Sequence, residues 1–133
     1  METPTVLFGT VSAVDEHDTG GGHPERAERL RAVADGIAET GLNEAVAEFK
    51  GRQATFDELA LVHDGQYLDA LERFTHAGGG DLDPDTPAVE GSWSTASYAA
   101  GTGLAAIEAL QRGDGVAAFV AVRPPGHHAR RQS

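Results

Sequence analysis

Two adjacent histidines, His127 and His128, are the residues of this sequence best suited to chemistry. They follow a continuous apolar run, Val116 to Val122, which predicts a strand covered on both faces. Ligands of open α/β sheets gather beyond the carboxyl ends of strands, and histidine suits general acid–base work because it titrates near neutrality. The alternative is a pair of loop histidines without a function, and for a bare His-His pair that alternative is the more common one.

Three alternating aspartates form a second candidate group, in a loop rich in Pro and Asp that runs from Asp81 to Glu90. The spacing of Asp81, Asp83 and Asp85 invites a calcium site. An EF-hand loop that starts at Asp81 would need Gly at position 86 and Glu at position 92, where the chain has Thr86 and Ser92. A solvated loop is therefore the favoured interpretation.

The other four histidines, His17, His23, His63 and His76, lack the tight spacing of a metal site such as H-x-x-x-H. The sequence also has no cysteine, which excludes disulfides, thiolate zinc sites and thiol catalysis.

Alternating strands and helices are predicted to position these residues. Thr5 to Val14 has the apolar, β-branched composition of a buried strand, and Val46 to Ala54 is a weaker strand candidate. Pro24 is expected to open a first helix that ends at Gly41.

Three further helices are predicted from local signals. Thr55 to Glu58 forms a capping-box pattern, and Asp64 can cap the helix that follows. Ser92 to Arg112 reads as a long helix of small residues that stops at Gly113, and its internal Gly101 and Gly103 predict a close approach to a sheet. The pattern indicates a layered α/β fold with too few strands for a covered parallel sheet.

The chain of 133 residues has a net charge of -11 and only one lysine, Lys50, with no basic patch. Direct binding to DNA or RNA is therefore not expected. A dispersed acidic surface suits concentrated salt, which screens self-repulsion, so we predict a halophilic source; an ordinary acidic bacterial protein is the alternative. Met1 to Thr10 lacks a signal-peptide pattern and no stretch approaches transmembrane length, which predicts a cytoplasmic protein with no membrane partner.

Several blocks, in order along nearly the whole chain, resemble the histone deacetylase family, and are closest to its acetoin-utilisation, acetylpolyamine amidohydrolase and class II branch. The blocks are RPPGHHA from Arg123 to Ala129, HDTG and HPER in the stretch from His17 to Arg26, VHD with Tyr67-Leu68, and LDPDTP from Leu82 to Pro87. The resemblance implies an arginase–deacetylase-type α/β fold, with a parallel sheet covered by helices on both faces. Residues 1–133 would form the N-terminal part of such a domain.

The resemblance also implies a zinc-dependent deacetylase acting on acetylated lysine or a small acetylated amine. His128 would be the general base, and His127 would tune charge and orientation beside it. Asp85 matches a rim carboxylate that grips the substrate, a solvated turn aspartate being the alternative. Arg29 matches a channel-lining arginine, with a surface helix arginine as its alternative.

The sequence departs from the family where the metal is concerned. The Asp-x-His segment that carries zinc ligands in the family, and the later carbonyl-polarising tyrosine, have no counterpart in this sequence. Three interpretations stay open: a deacetylase portion completed by a C-terminal complement of the same domain, a non-catalytic truncated remnant, and a binding module. No metal ligands and no cofactor are predicted for this chain alone, and we expect it to be inactive and marginally stable by itself.

Overall fold

A computed structural model of the chain describes residues 5–11 and 16–133. Its elements are, in chain order, β1 (Val6–Thr10), α1 (Glu28–Glu39), β2 (Val46–Glu48), α2 (Phe56–Ala60), α3 (Gly65–His76), β3 (Gly80–Asp81), β4 (Pro87–Ala88), α4 (Ser92–Arg112) and β5 (Ala117–Ala121), with a 3-10 turn at Leu42–Glu44. Within the described residues, no helix combines the length and the apolar character needed to cross a membrane.

The main sheet has three parallel strands in the order β2-β1-β5. Val6 pairs with Val46 on one side and with Ala117 on the other, and the β1–β5 register continues to Thr10 opposite Ala121. Because the strands are parallel, β1 and β5 finish at the same end of the sheet, where Thr10 lies opposite Ala121. The stretch that carries the histidine pair therefore begins at the same end of the sheet at which β1 finishes.

Helices α1 and α4 cover opposite faces of this sheet. Phe8 of β1 packs in one core cluster with Leu30 of α1. A Cβ built on the neighbouring Gly9 would come within 3.0 Å of Thr102 of α4. Since successive residues of a strand point to opposite faces, the layered α/β arrangement predicted from the sequence is confirmed.

Strand β5 is less covered than its sequence predicts. The ring of Phe119 stacks on Phe8 with centroids 5.9 Å apart, yet Phe119 stays 49% exposed, and Val116 is 69% exposed. Among the residues that the structure describes, no strand pairs with the outer edge of β5. The prediction that Val116 to Val122 is covered on both faces is therefore wrong for this chain.

The helix predictions that rest on capping chemistry are confirmed. At the start of α2, Thr55 Oγ1 accepts the Glu58 N–H at 3.2 Å and Glu58 Oε2 accepts the Thr55 N–H at 2.8 Å. Asp64 caps α3 by accepting the Gln66 N–H at 2.8 Å. Helix α4 has the predicted bounds and ends at Gly113, whose φ of 83° lies in the left-handed region that favours glycine.

The first helix begins later than predicted. Pro24 does not open it; α1 starts at Glu28. The reason lies in the intervening residues: the Glu25 N–H is bound by His23 Nδ1 at 3.0 Å, and the Glu25 carboxylate turns toward Arg123. These contacts go with an irregular path over residues 24–27, which form bends and a turn instead of a helix.

Two strands are shorter than predicted. The candidate from Val46 to Ala54 is a strand only as far as Glu48. The strand predicted from Thr5 to Val14 ends at Thr10, and the last part of that prediction falls on residues 12–14, which lie outside the described residues.

The two glycines inside α4 have different surroundings. A Cβ on Gly101 would lie 2.0 Å from the Arg52 carbonyl oxygen and 2.4 Å from Ala54 N, whereas a Cβ on Gly103 would meet nothing within 4 Å. The predicted close approach is thus correct at Gly101, although its partner is the irregular segment 52–54 and not a strand, and it is wrong at Gly103.

Candidate active site

The post-strand loop, residues 123–133 after β5, carries both histidines of the pair. The rings of His127 and His128 lie with centroids 4.1 Å apart and both residues are solvent-exposed. The Ala129 N–H donates to the Gly126 carbonyl oxygen at 3.0 Å, which closes a turn around the pair. The structure therefore places two adjacent imidazoles beyond the carboxyl end of a strand, as the sequence predicts.

A buried ion pair holds the start of the post-strand loop. Arg123 is 1% exposed, and its Nε and Nη2 donate to the two carboxylate oxygens of Glu25, each at 3.0 Å. Its Nη1 donates to the carbonyl oxygen of His17. Glu25 and His17 belong to the opening loop, residues 16–27, so the guanidinium joins the end of β5 to the segment that leads into α1.

Burial and the neighbouring Arg123 shift the pKa values of Glu25 and His17. Burial alone would raise the pKa of Glu25, but the hydrogen bonds and charge of Arg123 hold that pKa below its usual range. Burial lowers the pKa of His17, and the Arg123 charge lowers it further, against an opposing effect of Glu25. The folded chain thus favours an ionised Glu25 and a neutral His17.

His17 extends the network to the N-terminus of α4. Its Nδ1 lies 2.7 Å from Ser92 Oγ, and Ser92 Oγ accepts the Val89 N–H at 2.8 Å. His17 Nε2 lies 3.8 Å from Glu25 Oε2. A neutral ring with its proton on Nε2 satisfies both contacts, since Nδ1 then accepts from the Ser92 hydroxyl and Nε2–H faces the carboxylate.

The rim loop, residues 81–90, is shaped by its own aspartates. Asp83 Oδ1 accepts the Asp85 N–H at 2.9 Å. Hydrogen bonds from Thr86 and then from Asp85 lower the pKa of Asp83, and the His128 charge contributes in the same direction.

Asp85 itself projects into solvent, with its side chain 91% exposed. Its Oδ1 lies 3.2 Å from His23 Nε2. The two atoms do not form a hydrogen bond, so Nε2 of His23 is buried without a hydrogen-bond partner among the described residues. The role of Asp85 in gripping a substrate stays a prediction.

Arg29 lies on α1 with a side chain that is 56% exposed, and its Nη1 is 3.6 Å from Glu25 Oε1. This position adds a second cation to the Glu25 carboxylate. Its contribution as a channel residue stays a prediction.

A catalytic zinc ion requires a set of protein ligands, with which the described residues can be compared. Within residues 5–11 and 16–133, no group of three or more His, Asp or Glu side chains is arranged to hold a metal ion. These residues by themselves therefore do not fit a catalytic zinc, which needs three protein ligands.

The sequence matches the model of the histone deacetylase domain over residues 23–133. The chain belongs to the histone deacetylase family. A histone deacetylase-like amidohydrolase of Pseudomonas aeruginosa is 34% identical over 107 residues, which cover 80% of this chain and 28% of that protein. A polyamine deacetylase, HDAC10, of Homo sapiens is 33% identical over 117 residues, which cover 80% of this chain and 17% of that protein.

The fold agrees with the family. The crystal structure of the HDA15 HD domain superposes with a TM-score of 0.84 at 31% identity, and the match covers 96% of this chain and 37% of that one. The partial arginase–deacetylase-type fold predicted from the sequence is confirmed. The chain spans less than two-fifths of the length of each of these relatives.

Sequence reasoning does not identify the residues that hold this candidate site together. Arg123, Glu25 and His17 belong to the family blocks, but the blocks do not indicate that these three residues contact one another. One physical signal is present in the sequence: an arginine directly after an apolar run that predicts a buried strand needs an acidic partner if it is itself buried. The partner, Glu25, is 98 residues away in the chain, so no local pattern identifies it.

Proposed function

We propose that this chain supplies the proton-transfer part of a deacetylase site that hydrolyses acetylated lysine or a small acetylated amine. The observation that carries the proposal is the location of His127 and His128, beyond the carboxyl end of β5 in a chain of the histone deacetylase family. Support for a small acetylated amine comes from the relative named as a polyamine deacetylase.

His128 is the general base of the proposed reaction. It accepts a proton from the water whose oxygen attacks the acetyl carbonyl carbon, and it returns a proton to the leaving nitrogen as the C–N bond breaks. The products are acetate and a free amine. His127, with its ring centroid 4.1 Å from that of His128, tunes the charge and orientation of the base.

Two further residues complete the proposed roles. Asp85, on the exposed rim loop, grips the substrate by accepting hydrogen bonds from its backbone or amine. Arg29 lines a channel beneath the site, beside the Glu25 carboxylate. Because Glu25 also binds Arg123, a change at Arg29 is expected to act through the charge balance of that carboxylate.

Zinc would come with residues other than those described. The family resemblance implies a zinc-dependent reaction, whereas the described residues do not form a metal-binding group. We therefore propose that activity requires the remainder of a family domain, packed against the open edge of β5 and supplying the metal ligands. The chain alone is expected to be inactive.

A chimera tests the proposal. Residues 1–133 would be fused to the C-terminal portion of the Pseudomonas aeruginosa relative, and acetate release would be measured with an acetyl-lysine peptide and with an acetylated polyamine. We expect the chimera to be active and to contain about one zinc ion per chain, and the unfused chain to show neither property. His128→Asn should lower kcat by about 100-fold or more, the usual contribution of a general base.

The matched control is His76→Asn, which changes an exposed histidine of α3 and should leave kcat unchanged. A chimera that folds, binds zinc and keeps its rate with His128→Asn would contradict the assignment of His128. An inactive chimera whose circular dichroism is that of the relative would contradict the proposed function itself.

A non-catalytic remnant or binding module is the second candidate. It is favoured by the lack of a metal-binding group among the described residues and by the exposed carboxylate of Asp85. Titration of the unfused chain with the acetyl-lysine peptide distinguishes the two forms: a binding module binds without hydrolysis and loses affinity with Asp85→Asn, whereas a remnant does not bind.

A further inference from the structure

The far end of the post-strand loop is held by the corner between α2 and α3. His63 Nδ1 lies 2.7 Å from the carbonyl oxygen of Arg130. The next residue continues the contact, because the Asp64 N–H donates to the carbonyl oxygen of Arg131 at 2.8 Å. Two successive carbonyl groups, which begin two positions after His128, are thus bound by two successive residues of this corner.

The hydrogen bond to the Arg130 carbonyl oxygen determines that Nδ1 of the His63 ring carries a proton. A carbonyl oxygen can only accept, so His63 Nδ1 must carry a proton to form this hydrogen bond. Both the neutral ring with its proton on Nδ1 and the imidazolium meet this requirement. The contact therefore makes a spectroscopic prediction, namely that Nδ1 of His63 is protonated.

The corner that carries His63 has contacts to both flanking helices, α2 and α3. The His63 N–H donates to the Leu59 carbonyl oxygen at 2.9 Å, which ties it to α2. Asp64 caps α3 through the Gln66 N–H, and the His63 ring lies 5.9 Å from that of Tyr67. A residue held by both flanking helices can hold a loop in turn.

We infer that His63 is a positioning residue for His127 and His128. The post-strand loop is fixed upstream by the buried ion pair of Arg123 and downstream by the bonds to Arg130 and Arg131, so the pair lies on a segment held at both ends. The catalytic importance of this arrangement rests on the proposed function; the arrangement itself does not.

The test uses the full chain with ¹⁵N-labelled histidine and compares two substitutions. His63→Phe keeps a ring but removes the donor, whereas His63→Asn places an amide N–H near the position of Nδ1. In the wild type we expect a protonated Nδ1 at His63. His63→Phe should lower the exchange protection of the Asp64 amide by about tenfold, the loss expected for one hydrogen bond, and should shift the ring signals of His127 and His128. His63→Asn should restore both readouts.

A shortened chain that ends at Ala129 supplies the second arm, since it removes both carbonyl acceptors and leaves His63 intact. In that background His63→Phe should produce no further change in the His127 and His128 signals. This comparison also decides the matter if His63→Phe weakens folding, which circular dichroism would report.

An unprotonated Nδ1 in the wild type, including one in a chain without fixed structure, would overturn the inference. The inference would also be overturned if the ring signals of His127 and His128 changed neither with His63→Phe nor in the chain that ends at Ala129. Because these readouts need no catalysis, they remain decisive even if the chimera of the proposed function proves inactive.

Discussion

Breaking the ion pair between Arg123 and Glu25 should cost more stability than any exposed substitution in the chain. Removing one partner of a buried ion pair costs about 3–5 kcal/mol, because the other charge is left without compensation. Arg123 is 1% exposed, but the Glu25 side chain keeps 17% exposure and can recover some hydration. We therefore expect Arg123→Met to lower the free energy of unfolding by about 3 kcal/mol, the low end of that range.

The two residues should also be strongly coupled. Glu25→Gln alone leaves a guanidinium that cannot release its proton, so it too should be costly. Once Arg123→Met is present, Glu25→Gln removes a carboxylate that already lacks its partner. The double variant should thus be more stable than the two separate losses predict, with a coupling energy of about 2 kcal/mol.

Urea unfolding in molar KCl measures these values, since salt screens the net charge of -11. The fluorescence of Trp93, the single tryptophan, reports on the first turn of α4, and circular dichroism reports on the helices. Arg112→Met is the matched control: its partner is the exposed Asp114, so a loss below about 1 kcal/mol is expected. Losses that add to within about 0.5 kcal/mol would refute the coupling, and an Arg123→Met transition at the wild-type urea concentration would refute the reasoning as a whole.

Three further predictions concern acidity and association. Because burial and the Arg123 charge lower the pKa of His17, the stability from its neutral form should be present above the ordinary value of 6.5 and decline as the pH falls below it; thermal unfolding across that range should show this decline, and His17→Asn should flatten it. Hydrogen bonds from Arg52 lower the pKa of Glu58 to about 2, so the stability lost in Arg52→Gln should be present above the ordinary value of 4.5 and vanish as the pH falls toward 2; identical acid profiles of wild type and variant would contradict this. Phe119→Lys should reduce self-association of the chain, measured by sedimentation velocity, because a charge on an open strand opposes edge pairing.

The parts of the fold that depend on neighbouring residues in the chain could be predicted from the sequence. The caps at Thr55 and Asp64 involve residues two or three positions apart, so their patterns carry the whole interaction. Helix α4 could be bounded for the same reason, since the glycine that ends it lies at its last turn. The location of the histidine pair followed from the apolar run before it.

The parts that depend on distant residues could not be predicted in this way. Nothing near Arg123 in the sequence indicates that its partner is Glu25, or that the pairing delays the start of α1. The exposure of Phe119 was missed for a related reason: an apolar strand indicates the cover that the strand requires, not where in a chain the covering elements lie. The roles of Asp85 and Arg29 rest on family resemblance, and their surroundings leave those roles as predictions.

The contact at Gly101 has a mechanical consequence for the candidate site. Helix α4 crosses segment 52–54 so closely that a Cβ at this one position would overlap the Arg52 carbonyl oxygen. Rotation of the helix about its axis would bring Ala100 or Thr102, which do have a Cβ, into that gap. The crossing therefore restricts rotation of the helix at a point about 14 Å along its axis from Ser92, at 1.5 Å per residue. Because the helix cannot turn at Gly101, its first turn, which carries the Ser92 hydroxyl bound to His17, keeps its orientation relative to segment 52–54.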